Sequence, residues 1–315
     1  MGDRRGSLSL QTGAAGLALP VRRRSGPLGG QGATRSERPW GPILIGVFDS
    51  GIGGLSILQA LRAELPHENF TYIADSGHAP YGERGDIYVL ARSRAITTHL
   101  VAQGIKALVI ACNTATAAAI DQLRLEHQGL PIIGVEPALK PAALLSRTGR
   151  VGVMATRATL SSARFQKLLS ALPGRATFVL QPCDGLADAI ERGLGIAQHN
   201  QNATEIIAAC AYHTRAMGRF GSQMDEIDTL VLGCTHYPFA SEALRGLLGP
   251  DVVLVSTGEA VARQLRRILP TSAAPEHSAA SNRIELFATG PQHSLQAASE
   301  HWLDFPVTVH PLSFL

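Results

Sequence analysis

The sequence predicts an α/β protein: two pseudo-symmetric, doubly wound parallel-sheet domains with a cleft between them. Three observations carry that expectation. Short apolar runs without polar alternation recur from residue 43 onward, and such runs mark parallel strands covered on both faces. Helical stretches separate them, and strand–helix repetition gives doubly wound architecture. The chain also echoes itself: Ala107-Leu-Val-Ile-Ala-Cys112-Asn-Thr resembles Thr229-Leu-Val-Leu-Gly-Cys234-Thr-His. A weaker echo joins Ile45-Gly-Val-Phe-Asp-Ser50 with Val151-Gly-Val-Met-Ala-Thr156. Two related α/β domains facing each other would explain both echoes.

The strands expected, in order, are 43–48, 71–74, 107–111, 132–135, 151–155, 177–180, 230–233 and 252–255, most of them β-branched or Leu-rich. Helices are expected over 55–64, 87–102, 115–127, 157–171, 204–217 and 240–247. A last strand at 284–288 and helix at 292–302 close the pattern, after a polar, small-residue loop over 270–282. Residues 1–42 are rich in Gly, Ser and Arg and lack periodicity, so they read as a disordered basic tail. The run Ala14–Leu19 is short and broken by Gly16, which argues against a signal peptide.

Bulk composition narrows the function classes. The chain has 315 residues, 45% of them apolar and 17% charged, enough for two globular domains. Its net charge of +3 is misleading, because Arg4, Arg5, Arg22, Arg23, Arg24, Arg35 and Arg38 all lie in the tail. The remaining body is mildly acidic, and aromatics are only 5%, so a nucleic-acid surface is not expected. No apolar run is long enough to span a membrane. The four cysteines, Cys112, Cys183, Cys210 and Cys234, show neither metal-ligand spacing nor a disulfide framework. A reducing, cytoplasmic setting follows, with no metal site.

In open parallel sheets, ligands bind beyond the carboxyl ends of the strands. Asp49-Ser50-Gly51, Asp75-Ser76-Gly77, Cys112-Asn113-Thr114, Glu136 and Cys234-Thr235-His236 all fall there. Cys112 and Cys234 each end a strand and precede a helix, whose dipole is expected to lower the thiol pKa. A lone cysteine in that position is usually inert core, whereas two with matched polar successors suggest chemistry. Cys183 and Cys210 read as structural. The Gly-rich turn from Asp49 to Gly54 offers free amides for a carboxylate or phosphate, yet it fits neither a P-loop nor a dinucleotide fingerprint. The bland alternative is a tight turn capped by Asp49. Tyr81 and Gly82 lie in a loop that either lids a pocket or merely turns. His236 is a proton relay or a satisfied cleft histidine, and Glu191 a helix-end carboxylate.

These motifs resemble the aspartate/glutamate racemase family. The matching pieces are Ile45-Gly-Val-Phe-Asp-Ser-Gly-Ile-Gly-Gly-Leu-Ser-Ile-Leu58, Ala74-Asp-Ser-Gly-His-Ala-Pro-Tyr-Gly-Glu83, Val109-Ile-Ala-Cys-Asn-Thr-Ala-Thr116, Gly134-Val-Glu-Pro137 and Leu232-Gly-Cys-Thr-His-Tyr-Pro238. The resemblance implies a first domain over 43–136 plus 248–315 and a second over 137–247. It also implies Cys112 and Cys234 as an acid/base pair acting on glutamate without cofactor. Asp49, Ser50, Tyr81, Gly82, Asn113, Thr114, Thr235 and His236 would hold substrate, and Glu191 would support His236. A homodimer and a part in peptidoglycan synthesis are further expectations of the same kind.

The chemistry suits these residue types. Racemisation removes a proton from one face of Cα and returns one to the other, so two opposed groups are needed. A thiol, with a reference pKa of about 8.5, can serve as either acid or base. Amides with Asn113, Thr114 and Thr235 would stabilise charge spreading into the α-carboxylate. Asp49 would pair with the ammonium or relay protons near Cys112, and His236 would do the same beside Cys234. The three lysines, Lys106, Lys140 and Lys167, occupy no evident Schiff-base pocket. Three rivals stay open: a racemase of another small amino acid such as aspartate, a cysteine hydrolase using Cys234 and His236, and a periplasmic-type amino-acid binding module.

Overall fold

The computed structural model describes residues 44–172, 174, 176–193, 199–269, 283–303 and 305–313. The tail expected over 1–42 and the loop expected over 270–282 lie outside the described residues. The first described elements are β1 (Leu44–Asp49), α1 (Leu55–Glu64), β2 (Asn69–Ala74), α2 (Asp86–Ala102), β3 (Ala107–Ile110), α3 (Asn113–Glu126) and β4 (Ile132–Gly134). After α4 (Leu139–Leu145) come β5 (Arg150–Ala155), α5 (Arg157–Ser161), α6 (Ala163–Ser170) and β6 (Thr177–Pro182). Then follow α7 (Leu186–Gly193), α8 (His199–Met217), β7 (Thr229–Leu232), α9 (Ser241–Leu248) and β8 (Val253–Val255). The last are α10 (Gly258–Ile268), β9 (Ile284–Ala288), α11 (Gln292–Trp302) and β10 (Val309–Pro311).

The strands form two all-parallel sheets, ordered β10-β9-β2-β1-β3-β4 and β6-β5-β7-β8. The run β2-β1-β3-β4 is thus repeated strand for strand as β6-β5-β7-β8. The echoes in the sequence map onto this repeat: β1 corresponds to β5, and β3 to β7. Both sheets are buried on both faces, which explains the unbroken apolar strands. In β1, Ile45 and Val47 face a core shared with α1 and α10, while Leu44 and Phe48 face one shared with α2 and α3. Two further cores flank the second sheet, Leu230 and Leu232 belonging to one and Val231 to the other. Each such buried Leu, Ile or Val side chain contributes about 1.5–3 kcal/mol.

Four expectations need correction. The stretch 157–171 is not one helix, because Ser162 is extended and caps α6, accepting from the Phe165 amide at 3.1 Å. An α4 was not expected, since Pro141 interrupts its pattern; proline is tolerated there because the first-turn N–H groups need no intrahelical acceptor. Helix α10 was also missed: it is Arg-rich and buries only a narrow stripe of Val261, Ala262 and Leu265 against α1. Finally, β8 pairs with β7, so the chain stays with the second sheet through Val255. It rejoins the first only with α10, later than the expected return at residue 248.

The amino ends of the second sheet are tied by one carboxylate. Asp228, just before β7, accepts from Ser146 Oγ at 2.6 Å, Thr229 Oγ1 at 3.0 Å, and the amides of Arg147 and Thr148 at 2.6 and 3.0 Å. Burial alone would raise its pKa, but these donors outweigh burial and hold it below the ordinary value. A depressed carboxylate stabilises the fold above its unfolded pKa and loses that contribution as pH falls through the folded one. We expect Asp228→Ala to lower unfolding free energy by about 2–4 kcal/mol, since several donors lose one acceptor. In urea titrations, the gap between wild type and variant should narrow below about pH 4; a gap independent of pH would contradict this.

Candidate active site

In each sheet two neighbouring strands send the chain to opposite faces and in opposite directions across the sheet. In the first these are β1, which leads to α1, and β3, which leads to α3; in the second, β5 and β7. Ligands bind at such switch points, beyond the strand carboxyl ends. Asp49 ends β1 and Cys112 follows β3, whereas Thr156 follows β5 and Cys234 lies just beyond β7. The two switch points open onto one cavity of about 170 Å³, lined by both Cys112 and Cys234. Ser50, Tyr81, Gly82, Asn113, Thr114, Glu191, Thr235 and His236 line it as well. That space is several times the roughly 10–15 Å³ that one water requires.

Cys112 is the N-cap of α3, its sulfur accepting from the Ala115 amide at 3.4 Å and lying 3.8 Å from Ser50 Oγ. The helix terminus therefore does favour the thiolate, as expected from the sequence. Burial outweighs it, however, and Asp49 adds to burial, so the Cys112 thiol is pushed well above its ordinary value. Cys112 therefore favours its neutral form, which corrects the expectation of a lowered pKa.

Asp49 itself is fully buried. Its Oδ1 accepts from the Ser50 amide at 2.6 Å and Ser50 Oγ at 3.2 Å, and its Oδ2 from Thr235 Oγ1 at 3.1 Å. Burial raises its pKa despite the opposing charge of His236. Asp49 does not line the cavity; it stands behind Ser50 and Thr235.

On the other side Cys234 Sγ lies 3.8 Å from His236 Nδ1, and His236 Nε2 lies 2.6 Å from Glu191 Oε2. Burial would depress the imidazole, but the Cys234 sulfur and the Glu191 carboxylate overcome it and hold His236 well above an ordinary histidine. Glu191 also accepts from the Ile52 amide at 2.9 Å, reaching across from the second sheet to the Gly-rich turn. That contact accounts for two glycines. A Cβ on Gly51 would strike the Glu191 carboxylate, and one on Gly53 the His236 ring and the Thr235 hydroxyl.

Other bonds bridge the two sheets. Ser56 Oγ donates to the Thr235 carbonyl at 3.0 Å, and the Thr114 and Thr156 hydroxyls meet at 3.1 Å. Asn113 donates through Nδ2 to the Val135 carbonyl at 3.4 Å, leaving a buried Oδ1 without a partner among the described residues. A buried acceptor in that state is costly until a ligand supplies a donor.

Of the candidates named from the sequence, Cys112, Cys234 and the substrate-holding residues other than Asp49 line this cavity together with Glu191, whereas Asp49 stands behind the wall and Asp75 lies off it. Glu136, noted among the strand-end residues, instead pairs with Arg164 at 2.7 Å. Ser76, named among the strand-end residues, is on the wall, but sequence reasoning missed Thr156, Arg157, Asp184 and Asp188 there. Thr156 had a signal, since the weaker echo aligns it with Ser50. Arg157 and Asp184 form an exposed pair 2.5 Å apart at the rim. Cys183, read as structural, also reaches the wall; its thiol donates to the Gln181 carbonyl at 3.4 Å, and burial keeps it protonated.

The chain matches the profile of the Asp/Glu/Hydantoin racemase family over residues 55–265, and it belongs to that family. Within it the resemblance is to glutamate racemases. The chain is 49% identical to the glutamate racemase of Ectopseudomonas mendocina over 225 residues, 71% of this chain and 81% of that one. The crystal structure of a glutamate racemase isoform from Bacillus anthracis superposes with a TM-score of 0.72 at 30% identity, covering 86% of this chain and 97% of that one. The Escherichia coli glutamate racemase in complex with L-glutamate and an activator gives 0.72 at 29%, covering 86% and 98%.

The geometry makes a prediction independent of substrate. Glu191→Gln removes one of the two groups that keep His236 charged, so its pKa should fall. Titration of the His236 ring by NMR checks this; an unchanged pKa in the variant would contradict the assigned electrostatics.

Proposed function

We propose that this protein is an isomerase, a cofactor-independent glutamate racemase whose acid and base are the thiols of Cys112 and Cys234. The observation that carries the reading is that both sulfurs line one small cavity from the ends of equivalent strands. The two sheets act as two domains that bracket the substrate.

The protonated Cys112 delivers hydrogen to one face of Cα. Cys234, acting as the base, takes the hydrogen from the opposite face; the charged His236, steadied by Glu191, offsets the negative charge on its sulfur until that proton arrives. For substrate of the other hand the roles exchange. Cys112 then needs an acceptor for its proton, and Asp49, with its raised pKa, is poised to take it. The intermediate is a carbanion at Cα stabilised through its carboxylate. Backbone amides at Asn113, Thr114 and Thr235, residues that line the cavity, donate to that carboxylate as its charge grows. The unpartnered Asn113 Oδ1 accepts from the substrate ammonium, and Tyr81 and Gly82 close over the side chain.

Cys234, His236 and Glu191 form the line a cysteine hydrolase would need. That alternative leaves Cys112 idle on the same cavity, and family membership favours isomerisation. We further infer a cytoplasmic homodimer that supplies D-glutamate for peptidoglycan. Among the described residues, no helix is long and apolar enough to cross a membrane.

The test is incubation of the pure protein with L-glutamate in deuterated water, without added cofactor. Optical inversion with deuterium at Cα is expected, together with a preference for glutamate over aspartate. Cys112→Ala and Cys234→Ala should each lower kcat by about 10²–10⁴, the usual worth of one positioned acid or base. Full activity in either variant would refute the pair.

A further inference from the structure

Asp75 is a fully buried carboxylate that the mechanism above does not use. It follows β2, and its amide donates to the Asp49 carbonyl at 2.9 Å. Four donors converge on its side chain. Oδ2 accepts from Tyr81 OH at 2.5 Å and Arg92 Nε at 2.9 Å. Oδ1 accepts from Arg92 Nη2 at 2.8 Å and from Thr289 Oγ1 at 2.8 Å. Burial opposes ionisation, but Arg92, Tyr81 and Thr289 outweigh it and keep the group a carboxylate.

Thr289 lies just beyond β9, past residue 265 where the family match ends. Its amide donates to the Ala74 carbonyl at 3.0 Å. Its Oγ1 accepts from the Gly77 amide at 3.2 Å while donating to Asp75. Next to it, the Gly290 amide donates to Ser76 Oγ at 3.3 Å. The approach is close on both sides: a Cβ on Gly77 would lie 2.9 Å from the Thr289 carbonyl oxygen, and one on Gly290 2.6 Å from the Gly77 nitrogen. The turn after β9 is therefore fastened to the whole start of the loop that ends in Tyr81 and Gly82. Ser76, Tyr81 and Gly82 line the cavity, whereas Asp75 and Thr289 do not.

We propose that Thr289 is a positioning residue: through Asp75 it fixes Tyr81, and so sets the shape of the cavity wall that Tyr81 and Gly82 form. The effect on turnover rests on the glutamate racemase reading; the tie itself does not. A hydroxyl shared between a carboxylate and a backbone amide holds both in register, and Arg92 cannot replace it because it approaches from α2. Without the hydroxyl, the loop keeps its fold but samples more orientations of Tyr81. Substrate then binds less well while the reacting thiols stay where they were.

The experiment compares Thr289→Val, which keeps the shape and removes the hydroxyl, with Thr289→Ser, which keeps the hydroxyl. Thr289→Val should raise KM for glutamate about fivefold with kcat within about twofold, the pattern for lost uniform binding. Thr289→Ser should stay near wild type. In substrate-free protein, amide hydrogen exchange over residues 76–84 should quicken in the valine variant and not in the serine variant. Tyr81→Phe cuts the same link at its other end, so the double variant should be no worse in KM than Tyr81→Phe alone. Thr289→Ala serves if the valine variant does not fold. Unchanged KM and exchange in Thr289→Val or Thr289→Ala, equal damage in Thr289→Ser, or additive effects with Tyr81→Phe would each overturn the proposal. If wild type fails to turn over glutamate, the functional reading falls, and the exchange measurement alone decides the tie.

Discussion

A parallel sheet presents the ends of its strands, and the free amides beyond them, at a single edge. Opposed groups on one small molecule therefore cannot both come from one such sheet. They require two sheets whose carboxyl edges face each other, and this chain meets that requirement by repeating one strand order. Cys112 and Cys234 occupy equivalent places after β3 and β7, each beside the switch point of its own sheet. The cavity, the glycines that let the two edges approach, and the bonds from Thr235 to Asp49 and from Ile52 to Glu191 all depend on that opposition.

The electrostatics of the cavity follow from how tightly the edges close. Burial pushes Cys112 toward its neutral form, and it does the same to Asp49. His236 resists burial because a sulfur and a carboxylate flank its two ring nitrogens. The two thiols thus stand in unlike surroundings, one backed by a carboxylate and one by an imidazolium. In a water-poor space each unit of charge carries more energy than in solvent, so a proton transferred to or from carbon is answered by a neighbour already in place. Asp75 works differently: its four donors keep it charged and static, as suits a structural anchor.

Much of this was legible in the sequence. The strand runs were readable because both faces of each sheet are buried, leaving no polar alternation to confuse them. The repeat was readable because Cys112 and Cys234 carry matched strands before them and matched polar residues after them. Elements that break a simple pattern were harder to read. Pro141 hides the first turn of α4, Ser162 splits a continuous apolar stripe into two capped helices, and α10 buries only the apolar side chains of Val261, Ala262 and Leu265 among its arginines. Strand β10 is a short edge strand ending in Pro311, a composition that reads as loop. Asp184, just past the carboxyl end of β6, did carry a strand-end signal, whereas the place of Asp188 depends on how α7 packs and could not be foreseen. Nor could the sequence reveal that burial would defeat the helix dipole at Cys112.

The most direct measurement is a crystal structure of the wild-type protein soaked with glutamate. The account predicts the Cys112 and Cys234 sulfurs on opposite faces of the α-carbon, each within about 3.5 Å of it, the separation from which proton transfer proceeds. Both sulfurs on the same side of that carbon, or only one within reach, would contradict it.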